Sequence, residues 1–429
     1  MSSTQSNREK YIYSNLKHYY PRPLELKSGL GSYVKDIKGN TYLDFIGGIV
    51  TISIGHNHPR VKRKIISLLE ENQIQHTSTL YASEHVGKAA KKLVSLAGLE
   101  GYQVYFSNSG SEANEIAVLT AREATKRQLV VSLRHGYHGG TNATLNLCGH
   151  SSWKFPHQPS SNVSHIEAPY CYRCPYDKKP DSCSIPCADD LDRLIETCTA
   201  GEVAAVIVEP VMGVGGFIDG PKKYYQRIYE IIKDNGGLYI SDEVQTGVGR
   251  LGENFLGASD FGISPDIVTM AKGLGNGVPV GATIASSNLI KNLNGKTHFS
   301  TFGGDPFQMA QVYEVLCEIE DQSLMNNAKV MGGELKSHIM GLKAKYPYIG
   351  DVRGRGLLLG FELIKGDKSP DSDKCNDLLE LCLGEGLLIG KGGLRGNVIR
   401  LAPPLNISAN ELEEFKLKLS RSLEKLNLL

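Results

Sequence analysis

GGLYISDEVQTGVGRLGENFLGASDFGISPDIVTMAKGLGNG (236–277) is the stretch that decides the fold. LYIS (238–241) and DIVTM (266–270) are apolar runs too short for helices, so they read as buried strands. Each ends at polar residues set among small ones: Asp242, Glu243 and Gln245 after the first, Lys272 before a glycine-rich turn after the second. Outward from here, QVYF (103–106), LVVSL (129–133), AAVIV (204–208) and GATIA (281–285) repeat the strand pattern. Helical stretches fall between most of them: SEANEIAVLTAREATKR (111–127), with Ala113, Ile116, Thr120 and Ala124 on one face, and others near 188–198 and 222–235. Buried strands alternating with helices predict an α/β fold with a large doubly wound sheet, mixed or parallel.

After about residue 310 the pattern changes to helices near 326–345 and 374–385 and strands at GLLLGFEL (356–363), GLLIG (386–390) and NVIRL (397–401). Ser408 with Glu411 forms a capping box that starts a last helix. SYVKDIKGNTYLDF (32–45) reads as a hairpin turning at Lys38-Gly39-Asn40. The expected organisation is an N-terminal arm (1–75), a large domain (76–310) and a smaller α+β domain built from 311–429 together with the arm.

Composition excludes several function classes. With 41% apolar residues, 22% charged and a net charge of +1, the chain is globular and has no basic field for nucleic acid or an acidic membrane. No apolar run nears the roughly 20 residues of a membrane helix. The start, MSSTQSNREKYIYSNLKHYY, has no secretory apolar stretch, and nine cysteines are too few for a disulfide scaffold, so a cytoplasmic protein is expected.

Ligands of open α/β sheets sit beyond the carboxyl ends of the strands. Ser109-Gly110-Ser111 follows one strand and opens a helix, a place where backbone N–H groups favour a phosphate, although a plain capped helix has the same look. Tyr137 and His138 follow the next strand, Glu209-Pro210 another, then Asp242 and Lys272. A carboxylate at a buried strand end can keep a pyridinium nitrogen protonated, or simply cap a turn. A lysine in a dry pocket loses its proton readily and attacks carbonyls. No G-x-x-x-x-G-K-[ST] or G-x-G-x-x-G follows a strand.

In order along the chain, Ser109-Gly110-Ser111-Glu112-Ala113-Asn114, Glu209-Pro210, Asp242-Glu243-Val244-Gln245-Thr246-Gly247-Val248-Gly249-Arg250 and Ala271-Lys272-Gly273 resemble class III aminotransferases of fold type I. GGIVTISIGHNHP (47–59), HTSTLY (76–81), STFGGDP (300–306) and GDVRGRGLLLG (350–360) are most similar to the alanine–glyoxylate aminotransferase 2-like group. The resemblance implies pyridoxal 5'-phosphate as cofactor. Lys272 would bind it as a Schiff base and shuttle protons; Gly110 and Ser111 would hold its phosphate; Tyr137 would stack on the ring. Asp242 would meet the ring nitrogen and Glu209 would orient Asp242. Gln245 would contact the phenolic oxygen, with Val244 beside the ring. Thr301 would reach the phosphate of a partner subunit, implying a homodimer with the site at the subunit interface, or a tetramer. Arg400 would bind the substrate carboxylate, and Ile49 and Val50 would line the substrate pocket.

Arg400 lies in an apolar strand and needs an anionic partner, either a substrate or a structural acid. In ornithine- and 4-aminobutyrate-type relatives the loop after Glu-Pro carries a glutamate that pairs with this arginine; here Val214 stands there. That favours alanine or an ω-amino acid such as β-alanine as donor and pyruvate or glyoxylate as acceptor, in a ping-pong reaction. A lyase acting on a phosphorylated amino compound is the alternative on the same scaffold. Cys171, Cys174, Cys183 and Cys187 could hold a structural zinc ion, with free thiols or disulfides the plainer expectation, so no metal is required. His56 and His58 read as loop residues, and Arg353 and Arg355 as stabilisers of the small domain.

Overall fold

The computed structural model describes residues 3–16, 18–21, 23–159 and 162–428. Three strands come early: β1 (Leu26–Leu30), β2 (Tyr33–Asp36) and β3 (Thr41–Asp44). The central strands are β4 (Tyr102–Ser107), β5 (Val130–Leu133), β6 (Val163–Ile166), β7 (Ala205–Val208), β8 (Leu238–Asp242), β9 (Ile267–Ala271) and β10 (Gly281–Ser286). The C-terminal strands are β11 (Ile349–Arg355), β12 (Leu358–Leu363), β13 (Leu387–Leu388), β14 (Gly390–Gly392) and β15 (Val398–Leu401).

The central sheet has the order β4-β10-β9-β8-β7-β5-β6. It is mixed: β10 runs antiparallel to both β4 and β9, and the other strands share one direction. Only residues 272–280 separate β9 from β10, too few for the crossover a parallel return needs. β6 was not apparent in the sequence, because VSHI at a sheet edge has no continuous apolar run. Successive residues serve opposite faces. Val130, Ala205, Ile207 and Ile240 pack on Ala117 and Ala121 of the helix Gly110–Thr125. Val131, Leu133, Val206, Val208 and Tyr239 pack on the helices Pro186–Cys198 and Lys222–Asp234. Both faces are therefore dry, which explains why these strands are apolar throughout.

The second sheet, β11-β12-β15-β14, is backed by the helices Leu324–Lys345, Ser372–Gly384 and Ala409–Leu426. The last carries the expected Ser408–Glu411 capping box. β1-β2-β3 forms the expected hairpin arm, and β3 pairs in parallel with β13 while Phe45 stacks on Phe415 at 4.0 Å. The helix Pro306–Asp321 spans position 310 and packs on the helices Pro59–Glu70 and Glu84–Ala97. Among the described residues no helix is long and apolar enough to cross a membrane.

Candidate active site

The parallel strands deliver their last residues to one edge of the sheet. Gly110 and Ser111 open the helix after β4; Tyr137 and His138 follow β5; Glu209 follows β7; Asp242 ends β8; Lys272 follows β9. All of them line one cavity of about 590 Å³, joined by Asn114, Val244, Gln245, Val214, Ile49 and Arg400. The volume suits a cofactor-sized ligand. Glu243, next to Asp242, is turned away: its carboxylate accepts the N–H groups of Gly257 and Ala258.

Asp242 is held by residues the sequence reading did not assign. Its Oδ2 accepts Asn114 Nδ2 at 2.8 Å and faces His138 Nδ1 at 2.7 Å, while its Oδ1 accepts the Val244 N–H at 3.1 Å. Asn114 is itself fixed, giving its other N–H to the His138 carbonyl and accepting from the Thr269 hydroxyl. Glu209 does not touch Asp242. Its two oxygens accept the N–H groups of Tyr137 at 2.9 Å and Gly213 at 2.8 Å, so it ties together the loops after β5 and β7. Burial raises the Glu209 carboxyl above the ordinary range, and the neighbouring Asp242 pushes the same way. The contacts that fix Asp242 come from Asn114, His138 and the Val244 N–H. A signal existed for Asn114: it is an amide on the helix's buried face among Ala113, Ile116, Ala117 and Val118.

Lys272 makes no hydrogen bond or ion pair with the described residues, and its amine opens only onto the cavity. Loss of water there lowers its pKa to about 8; Arg400 adds to the fall, and Asp242 and Glu209 oppose it. Its backbone is left-handed, with φ of 47°. Such a conformation costs a non-glycine residue about 1–3 kcal/mol and collects at functional sites.

At the other end Ser109 caps the helix Gly110–Thr125, accepting the Glu112 N–H, and Gly110 and Ser111 of its first turn line the cavity. A Cβ at Gly110 would lie 2.9 Å from both methyls of Val244, so only glycine lets strand end and helix start approach this closely. Tyr137 is half-buried and meets Trp153 edge-on at 5.0 Å. Gln245 reaches the cavity with its Oε1 buried and unpartnered, as is His138 Nε2.

Arg400 is 5% exposed and has no acid within reach among the described residues; it donates to the carbonyls of Lys391 and Gly213 and to the Tyr19 hydroxyl. The structural ion pair weighed above is absent there. Ile49 stands half-exposed at the cavity mouth. Val50 does not line the cavity. The left-handed backbone of Gly48 and of Val50 itself turns it inward, 2% exposed, among Ile46, Val211, Phe217 and Leu358. Thr301 is exposed and outside the cavity, next to Ser300, which accepts from Asn108 Nδ2 of the loop after β4. Cys171, Cys174, Cys183 and Cys187 are free thiols around one narrow void, and no three metal-ligating side chains are grouped to hold an ion among the described residues. His56 pairs with Asp44 and His58 lies 3.4 Å from Glu318. Arg353 joins the buried Glu362 to Asp351 within the small sheet, and Arg355 pairs with Asp219.

A lysine, a pyridinium-type aspartate and a helix start on one cavity are the parts of a pyridoxal-phosphate site, and the sequence profile of the family described as Aminotransferase class-III matches residues 15–423. The chain is a class III aminotransferase. It is 37% identical over 410 residues to "Alanine--glyoxylate aminotransferase 2 homolog 2, mitochondrial" of Arabidopsis thaliana, covering 95% of this chain and 84% of that one. It is 35% identical over 421 residues to the acetylornithine aminotransferase of Mycobacterium leprae, covering 97% and 95%. Its fold matches an amine transaminase of an uncultivated Pseudomonas species, solved with pyridoxal phosphate bound, with a TM-score of 0.91, 30% identity and coverage of 98% and 100%. This class III aminotransferase has the fold type I architecture and is pyridoxal-phosphate-dependent. Its own residues fit that group: Gln245 Oε1 is an orphaned buried acceptor, Lys272 has no partner among the described residues, and Gly110 leaves room where a side chain would clash.

Proposed function

We propose that this enzyme transfers an amino group from alanine, or an ω-amino acid such as β-alanine, to pyruvate or glyoxylate by a ping-pong reaction. One observation carries the substrate class: Arg400 is buried on the cavity wall with no acid beside it, and Val214 occupies the loop where an acid could neutralise it. An unpaired buried guanidinium is costly unless an anion meets it, and its planar fork matches a carboxylate.

Pyridoxal phosphate, when bound, supplies the carbonyl that exchanges amino groups and a ring that accepts electrons from the substrate Cα. Lys272 would hold that carbonyl, and its Nζ, whose pKa burial lowers to about 8, would take and return the α-proton. Asp242, clamped by Asn114 and His138, would keep a ring nitrogen protonated. Tyr137 and Val244 would flank the ring, Gln245 would contact its phenolic oxygen, and Gly110 and Ser111 would hold the phosphate. Ile49 would touch substrates at the entrance.

The lyase alternative has less support. Besides Lys272, the cavity's cations are Arg400 and Lys391, and the Lys391 amine is engaged by Asn376. His150, pushed down to about 4 by burial, is neutral at physiological pH. A phosphorylated substrate would thus find Arg400 as the one arginine on the cavity wall among the described residues, with the Lys391 amine turned to Asn376.

The active assembly proposed is a homodimer. Ile74, Leu80, Tyr81, Phe299 and Phe302 are exposed, and the segments bearing them are joined by a His76–Phe302 ring contact and by Asp305, which accepts from His76 and the Thr77 N–H. An apolar surface of this kind calls for a partner. A second copy there would bring Thr301 toward the other cavity. We also assign the enzyme to the cytosol, which its nine free thiols suit; the Arabidopsis relative is named as mitochondrial, so subcellular fractionation is the test.

The deciding experiment is a donor screen with L-alanine and β-alanine against pyruvate, glyoxylate and 2-oxoglutarate, plus a no-acceptor control. Turnover with the small acceptors and none without acceptor is expected. Preference for 2-oxoglutarate, or ammonia release in the control, would overturn the reading.

A further inference from the structure

Arg400 carries five N–H donors. Nε gives one to the Lys391 carbonyl at 3.1 Å, Nη1 one to the Gly213 carbonyl at 3.3 Å, and Nη2 one to the Tyr19 hydroxyl at 3.3 Å. Two remain, one on each terminal nitrogen, and neither meets an acceptor among the described residues. That number matches the two oxygens of a carboxylate.

Tyr19 is not assigned by any motif. Its hydroxyl donates to the Lys391 carbonyl at 3.0 Å and accepts the Lys391 N–H at 3.2 Å and the Arg400 Nη2–H. Its one proton and both lone pairs are thus committed, which fixes the phenol relative to the start of β14 and to the guanidinium. The segment bearing it is anchored: Tyr20 is buried in the main core, and Arg8 Nη2 donates to the Leu16 carbonyl at 2.9 Å. Tyr19 and Lys391 also border both the active-site cavity and a separate groove along the N-terminal segment, so the phenol stands in the wall between them.

We propose that Tyr19 is the positioning residue that sets the substrate class. It holds Arg400 toward the cavity through a neutral oxygen, and so leaves the full positive charge and two paired donors to the carboxylate of a small 2-oxo acid. An acidic residue making the same contact would fix the guanidinium equally well but neutralise it. The proposal rests on the transaminase reading for its substrate, not for its geometry.

The test compares wild type, Y19F and Y19E as holoenzymes. Propionate affinity is read by calorimetry, which needs no turnover; KM and kcat are read for pyruvate and for propanal, an acceptor without a carboxylate. Loss of one hydrogen bond to a charged group corresponds to about tenfold, so Y19F is expected to weaken propionate and raise the pyruvate KM by about that factor. The pyruvate kcat and the propanal KM should change by less than about threefold. Y19E, whose carboxylate takes the free donors, should weaken propionate more than Y19F does. The proposal is overturned if Y19F leaves propionate binding unchanged, if pyruvate and propanal suffer alike, or if Y19E binds propionate as wild type does. A wild type that binds propionate but transfers no amino group would remove the transaminase reading and leave the Tyr19 test intact.

Discussion

Replacing Lys272 by methionine should stabilise the apoenzyme, by an amount that depends on pH. The amine lies on the cavity wall with no ion-pair partner among the described residues, and burial lowers its pKa from 10.5 to about 8. The folded state therefore disfavours the charged form. In the unfolded chain the lysine remains protonated up to its ordinary pKa, so between about 8 and 10.5 the unfolded state binds more protons and stability rises with pH. The cost of folding with this group is fully present below pH 8 and disappears above 10.5. A shift of that size corresponds to about 3 kcal/mol at pH 7 and about 1 kcal/mol at pH 9.5. K272M keeps the side chain's bulk and removes the charge. In urea unfolding of the apoenzyme, its advantage over wild type should be about 3 kcal/mol at pH 7 and shrink to about 1 kcal/mol at pH 9.5. An equal gap at the two pH values, or a K272M protein less stable at pH 7, would refute the claim that this amine is held in a dry, unpaired site.

N114A should cost about 2–4 kcal/mol of stability, because it strands the Thr269 hydroxyl and the His138 carbonyl, and should reduce cofactor retention on dialysis; N114D, which sets a second carboxylate against Asp242, should lose the cofactor altogether. V214E should pair with Arg400 and raise the pyruvate KM by at least about tenfold, with little change in melting temperature. G213A would drive a methyl into the Gln245 amide, so the cofactor's visible absorbance should shift and kcat fall. F302D should give a monomer in sedimentation velocity and weaken cofactor binding through loss of Thr301 from the neighbouring site.

The central strands were legible because both faces of the sheet are dry and each strand is a short apolar run with polar residues at its end. Asp242 and Lys272 were legible for the same reason: strand ends of a parallel sheet converge, so position along the chain implies position in space. Less was readable wherever direction or partner depends on distant residues. β10 reads like its neighbours but runs the other way, since its connection is too short to cross over. Ile49 and Val50 are adjacent and similar in character, yet a left-handed turn at Gly48 exposes one and buries the other. Glu209 follows β7 in a motif with Pro210, but its hydrogen bonds go to two backbone N–H groups rather than to Asp242.

By itself the sequence determined the family and the cofactor, and it marked the groups that line the cavity, because the pattern there is local: a small residue at a helix start, an acid and an amine at strand ends. Tertiary structure alone decided how those groups are held and charged. Asn114 and His138 meet Asp242 across 128 and 104 residues, and Tyr19 meets Arg400 across 381. Hydrogen bonds and dehydration act through space, so no spacing along the chain encodes them.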